Sequence, residues 1–449
     1  MSEMLWDKGL PLDQQLHAFT VGDDPLIDLQ LMPFDAEGSA AHARMLGECG
    51  LLPENEAKAL VAALRGLAEQ FERGELTITR EQEDSHTALE VALTKKLGRT
   101  GGRIHLARSR NDQVQTALRL WMRVRLLDLG EALVNCASVF LDFARANSST
   151  LLPGYTHMRR AMPSSWGMWG VAFAEGLTEE LEQLPALCSR IDRCPLGAAA
   201  GFGVPLRLNR ERAAELLGFS RVQRSPIDVM NGRGRHEQAI AAWIVSAAGT
   251  LEKALWDLLI WSTEEFNFVR LPDMFTTGSS LMPQKRNPDV LELARGRCRE
   301  LRGLAALLSG LSGGLPSSYH RDQQLLKGPF FEIVGKGKEL FDVVTRLLPG
   351  LEINEQACSA ACSEEVHAAS EACRLAAEGI PFRAAYAEVA RRLQDGGFKP
   401  DALTTSNMVP EVGRLALTEI AMTLTDSKSW IADRRRSIAD NTQHLFDWP

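Results

Sequence analysis

Between Asn111 and about Ser148 the chain carries a helical pattern with almost no break, and this length most limits what it can fold into. Val114, Ala117, Leu118, Trp121, Met122, Leu126, Leu129 and Leu133 recur at steps of three and four residues. A helix of that length exceeds the usual globular one. It must bury more than one apolar stripe against other helices. Three further long runs are predicted: Pro163 to about Arg193, with Pro163 in the first turn and Pro185 as a kink; Gly234 to Val269; and Pro288 to about Ser312. Strand signals are scarce, with Leu76–Thr79 the one short candidate. The expected fold is all-α, with a central long-helix bundle shared between subunits. Beyond residue 350 the helical periods shorten around Gly379-Ile380-Pro381 and Asp395-Gly396-Gly397. The expected division is an N-terminal helical domain over 1–110, the bundle over 111–350 and a small helical domain over 351–449.

Composition fits an enzyme better than a nucleic-acid or membrane protein. A net charge of −8 argues against a nucleic-acid partner. The most apolar stretch, Ala239–Ala248, lies between Glu237 and Glu252 and is too short to span a bilayer. The first eight residues show no signal-peptide pattern. The eight cysteines are scattered; Cys358 and Cys362 share a helix face without a matching His or Cys pair. Free thiols in a reducing cytoplasm are expected, and no metal or organic cofactor.

Four polar segments interrupt the helical pattern. Residues 278–288 read Gly-Ser-Ser-Leu-Met-Pro-Gln-Lys-Arg-Asn-Pro, a loop whose Lys285 and Asn287 suit a carboxylate. Residues 101–113 place Ser109, Arg110 and Asn111 before the longest helix, where anion binding or ordinary capping would each explain them. Gly154-Tyr155-Thr156-His157 sets a histidine beside a hydroxyl and two arginines, in reach of proton-transfer work or a structural role. Residues 315–327 gather Tyr319, Arg321, Asp322, Gln324 and Lys327 in a possible solvated turn.

Together these segments resemble one family. The 278–288 loop is similar to the signature loop of the fumarase/aspartase superfamily. Glu83-Asp84-Ser85-His86, Ser109–Val114, Gly154–His157, Pro195-Leu196-Gly197 and the run from Gly314 to Asp322 resemble the argininosuccinate lyase branch in order and spacing. Gly38-Ser39, His42 and Met45-Leu46 add to this, and the likeness is strong from residue 5 to about 335.

The resemblance implies a fumarase/aspartase-like subunit, a homotetramer with a shared twenty-helix core, and active sites where three subunits meet. It also implies β-elimination of fumarate from an N-substituted aspartate, argininosuccinate in the first instance. The proton beside the carboxylate is weakly acidic, so a doubly charged aci-carboxylate must be stabilised by fixed donors and cations. Ser280 matches the family's catalytic serine, a poor base unless its surroundings hold it as an alkoxide. His157 matches the family histidine, with Glu292 as its partner carboxylate; whether it acts as acid or as electrostatic support stays open. Lys285, Asn287, Ser109, Asn111 and Thr156 would grip the succinyl carboxylates. Arg110, Asp84, Arg233, Tyr319, Gln324 and Lys327 persist at matching positions.

The departures concern the leaving amine. The family's Asp-Arg-Asp is Gly232-Arg233-Gly234 here, and its Gln-Glu-Asp-Lys is Gln324-Leu325-Leu326-Lys327. His-Thr-Gly-Arg becomes His105-Leu106-Ala107-Arg108, and Leu-Gln-Arg-Ala-Gln becomes Met158-Arg159-Arg160-Ala161-Met162. Lost acids leave open a lyase for another N-succinyl amine, such as an ethylenediamine-disuccinate-like aminocarboxylate. A non-catalytic, crystallin-like role would be favoured by loss of the serine or histidine, and both are present.

Overall fold

The computed structural model describes residues 13–401 and 415–448, so the N-terminal eight residues read above lie outside it. The longest element is a 37-residue helix, Arg110–Ala146. At 1.5 Å per residue it is about 55 Å long. Trp166–Ile191 and Lys327–Leu347 pack directly on it, and Arg235–Trp261 and Asp289–Ser312 pack on those. Leu118, Trp121, Leu126 and Leu133, all on the predicted stripe, are fully buried in the core these helices share. A second core joins Met32–Glu48, Glu54–Glu72 and Ser85–Leu97. The helix Leu417–Phe446 lies back across both, placing Ile420, Leu424 and Ile431 in the first core and Leu445 in the second. Among the described residues, no helix is long and apolar enough to cross a membrane. The eight cysteines are free thiols.

Two local expectations are corrected. Leu76–Thr79 forms no strand; Ile78 instead inserts into the second core. Pro163 does not open a helix. It sits in the strand Arg159–Ser165, which pairs antiparallel with Leu151–Thr156, and it faces Pro153. A two-stranded ladder has two free edges, so a residue without an N–H can be placed where no ladder bond is needed. The helix starts at Trp166 because the Ser165 side chain accepts the Met168 N–H at 3.1 Å. It continues through Pro185 to Ile191.

The hairpin is fixed to the bundle by aromatic packing and one close approach. Trp166 and Trp169 pack edge-on against Phe143 and Trp261. A Cβ at Gly167 would lie 2.5 Å from Ser148 Cα and 3.0 Å from its carbonyl oxygen. Both obstacles are backbone and cannot swing aside. Gly167→Ala should therefore destabilise the protein by roughly 1–3 kcal/mol, as overpacking does. A urea midpoint indistinguishable from wild type would contradict this contact.

Chain direction sorts the bundle into two poles. Gln238 bonds Ser312, while Glu252 pairs with Arg299 and Arg302, so Arg235–Trp261 and Asp289–Ser312 are antiparallel. The 278–288 loop and the 151–165 hairpin thus lie at the Ala146–Trp261 pole. Residues 109–111, 233 and 327 lie at the other.

Candidate active site

At the second pole, seven of the residues singled out from the sequence line one cavity of about 170 Å³: Asp84, Arg110, Asn111, Arg233, Tyr319, Gln324 and Lys327. Ser109 sits beside it as the cap of the long helix. Its side chain accepts the Asn111 N–H at 3.3 Å, and Asp112 returns the contact to the Ser109 N–H at 3.0 Å. Asp112 also accepts from Gly197 and Ala199, which ties the Pro195-Leu196-Gly197 segment to the helix start. Ala107, where the family pattern has glycine, is held at φ 61°. A side chain in that left-handed region costs about 1 kcal/mol or more. Ala107→Gly should raise the unfolding free energy by about 0.5–1 kcal/mol, once the added freedom of the unfolded chain is subtracted. No gain in chemical denaturation would mean that the strain is relieved elsewhere.

The cavity wall is crowded with opposite charges. Arg110 Nε donates to Asp84 at 2.8 Å and its Nη2 donates to Glu83 at 2.9 Å. Burial works against the Arg110 charge, but Asp84 and Glu83 outweigh it and hold the guanidinium above its ordinary range. Asp84 caps Ser85–Leu97 by accepting from Thr87. Despite burial, the neighbouring His86 and Arg110 keep its carboxyl below the usual carboxylate range. Lys327, 4% exposed, donates to Asp28 at 2.6 Å and lies 2.9 Å from Asp24. Burial pushes the Asp24 carboxyl up to about 6, against the pull of Lys327. Gln324 and Arg321 donate to the carbonyl of Thr20, so the segment 20–28 closes one side of the cavity.

Asp24 and Asp28 were not among the residues expected from sequence. Asp23-Asp24-Pro25 reads as the start of a short helix, which it is, and nothing in that pattern points toward Lys327 about three hundred residues later. His86 also lines the cavity. Its Nδ1 is bonded to Asp35 at 2.5 Å, and its Nε2 has no hydrogen-bond partner among the described residues.

The remaining expected residues lie at the opposite pole. His157 and Met158 form the hairpin tip, both at positive φ (52° and 60°) and both exposed, with Thr156 just before them. Two positive φ values in a two-residue connection match the hairpin's own twist. The signature loop is a second small hairpin, closed where Thr277 and Gly278 pair with Asn287 and Arg286. Ser279 Oγ accepts the N–H groups of Leu281 and Met282, which turns the loop and leaves Ser280 and Lys285 exposed. Glu292 is exposed in the first turn of Asp289–Ser312. Among the described residues no hydrogen bond joins His157 to Glu292 or to the loop. Within one chain the two groups of expected residues are thus separated by most of the length of the long helix.

Comparison with known proteins resolves which family builds this arrangement. A family described as Lyase matches residues 14–303. A Sorangium cellulosum protein named argininosuccinate lyase is 42% identical over 428 residues, 94% of this chain and 99% of its own. One of the same name from Parabacteroides distasonis is 37% identical over 92% of this chain and 93% of its own. The chain belongs to the argininosuccinate lyase family. Among solved structures, EDDS lyase in complex with formate superposes with a TM-score of 0.81 at 22% identity, covering 98% of this chain and 95% of that one. Class II fumarase from Schistosoma mansoni gives 0.73 at 15% identity, covering 92% and 96%. At those identities the likeness shows a shared fold. As an argininosuccinate lyase family member the chain is a carbon–nitrogen lyase.

Proposed function

We propose that this enzyme cleaves argininosuccinate to arginine and fumarate. The observation that carries the reading is the carboxylate-lined cavity beside Arg110 and Arg233 in a chain whose near full-length relatives bear that name. On the wall the carboxylates Asp24, Asp28, Glu83 and Asp84 face the cations Arg110, Arg233, Arg321 and Lys327. A leaving amine that carries both a cation and a carboxylate, as arginine does, suits such a mixed wall.

In this reading Ser280 takes the proton from the carbon next to the carboxylate. The C–N bond breaks, the amine departs, and the electron pair becomes the double bond of fumarate. Lys285, Asn287, Ser109, Asn111 and Thr156 bind the carboxylates whose charge grows in the transition state. His157, oriented by Glu292, supports that charge or supplies the proton the amine needs. Tyr319, Gln324, Arg233 and Lys327 shape the amine side. No step calls for a metal or organic cofactor.

We further propose that the working unit is a homotetramer. About 55 Å of helix separates Arg110 from the hairpin pole, so one chain cannot bring Ser280 and His157 to the Arg110 cavity. Subunits related by symmetry can supply each other's missing half. The chain segments 1–110, 111–350 and 351–449 then serve as flank, shared core and outer flank. Localisation in the cytoplasm accords with this metabolic role.

The test is to add argininosuccinate to the purified enzyme, follow fumarate absorbance in the ultraviolet and assay arginine in the same sample. Equimolar release is expected. Fumarate from another N-substituted aspartate but none from argininosuccinate would overturn the substrate assignment. A monomer by light scattering at micromolar concentration with full activity would overturn the tetramer.

A further inference from the structure

Four carboxylates line the cavity: Asp24, Asp28, Glu83 and Asp84. Among them, a carboxylate oxygen with no partner is the readiest to meet an incoming cation. Asp28 is engaged at both oxygens, Oδ1 by Lys327 and Oδ2 by the Ser85 N–H. Asp84 uses Oδ1 for Thr87 and Oδ2 for Arg110. Glu83 uses Oε1 for His17 and Oε2 for Arg110. Asp24 meets Lys327 through Oδ2 at 2.9 Å, and its Oδ1 has no partner among the described residues.

Two of the places where the family pattern carries acids, 234 and 326, cannot regain them simply. Gly234 is at φ 82°, and a Cβ there would stand 2.4 Å from Ser312 Cβ. Residue 326 is a fully buried leucine in the main core. One buried polar atom on the cavity wall, His86 Nε2, also lacks a hydrogen-bond partner among the described residues, whereas Arg233 Nε lies 3.3 Å from the Glu237 carboxylate. Such an orphan is costly unless a ligand or ordered water meets it. The wall therefore offers an unpartnered acceptor at Asp24 on the segment 20–28 and an unpartnered nitrogen at His86.

We infer that Asp24 is the specificity residue for the leaving amine, taking a hydrogen bond from its cationic group through the free Oδ1 while Lys327 holds Oδ2. This rests on the fumarate-releasing reading above and names the residue that makes a positively charged amine preferred. No bond to Asp24 forms or breaks in the reaction, so its substitution acts on binding.

Asp24→Asn and Asp24→Ser should be compared with the full-length wild type, using arginine and fumarate separately as inhibitors of fumarate release from argininosuccinate. The inhibition constant for arginine and the KM are expected to rise at least ~10-fold, the equivalent of one lost charge-assisted hydrogen bond. Inhibition by fumarate should stay within about twofold. Melting temperatures show whether each variant is folded, and Asp24→Glu should recover part of the arginine affinity. An arginine constant within about twofold of wild type in both folded variants would overturn the inference. If wild type cleaves another N-substituted aspartate and not argininosuccinate, the substrate reading fails instead. Asp24 is then judged by whether Asp24→Asn loses its preference for cationic over neutral leaving amines.

Discussion

Ser280→Ala is expected to lower kcat by ~10²–10⁴-fold, the range for losing a positioned acid–base group, with little change in substrate affinity. Lys285 and Asn287, the proposed carboxylate grip, remain on the loop, so binding should survive where proton removal does not. His157→Ala should also be nearly inactive. The larger effect appears on mixing. Ser280 lies on the 278–288 loop and His157 on the 151–165 hairpin, two separate elements with no hydrogen bond between them in one chain. If each site draws them from different subunits, unfolding and refolding the two inactive variants together should regain a substantial fraction of wild-type activity. Mixtures that stay as inactive as their parents would mean that both groups serve the same site from one subunit. Near-wild-type turnover by Ser280→Ala alone would move the base assignment to His157.

Lys327→Ala should have the second largest effect, and it should be felt in the fold as well as the reaction. The ammonium is buried between Asp24 and Asp28, and those two partners hold its charge above the ordinary lysine range against the cost of burial. Removing it leaves a fully buried Asp28 facing Asp24 without a counter-charge. Breaking one side of such a pair costs about 3–5 kcal/mol. The double variant Lys327→Met with Asp28→Asn should regain part of that loss, because the orphaned charge goes with it. Urea unfolding of the three proteins decides the matter. A single-variant loss below about 1 kcal/mol would show that the pair is solvated in solution.

The long helices were legible because their apolar residues repeat at helical spacing over many turns. The stripe from Val114 to Leu133 needed nothing beyond the chain itself. The hairpin was not legible, since Pro163 suits a first helical turn as well as a free strand edge; Ser165, two residues on, was the actual cap. The course of Leu417–Phe446 back across both cores also leaves no local mark, because packing partners are set by tertiary geometry. In the cavity, Asp84, Arg110, Asn111, Arg233, Tyr319, Gln324 and Lys327 were recognisable from ordered motifs. Asp24 and Asp28 were not, because their meaning depends on a lysine at the other end of the sequence. Resemblance alone suggested roles for Ser280, His157 and Glu292, which lie away from the cavity within one chain.

The rigid length of Arg110–Ala146 has a consequence for how such a protein behaves in time. On the reading above, a newly made chain carries every reactive group and yet no place where they converge. Catalysis becomes a property of population density. Diluting the enzyme below its assembly constant would silence it with every helix intact. Recovery on reconcentration would follow a rate law of higher than first order in chain.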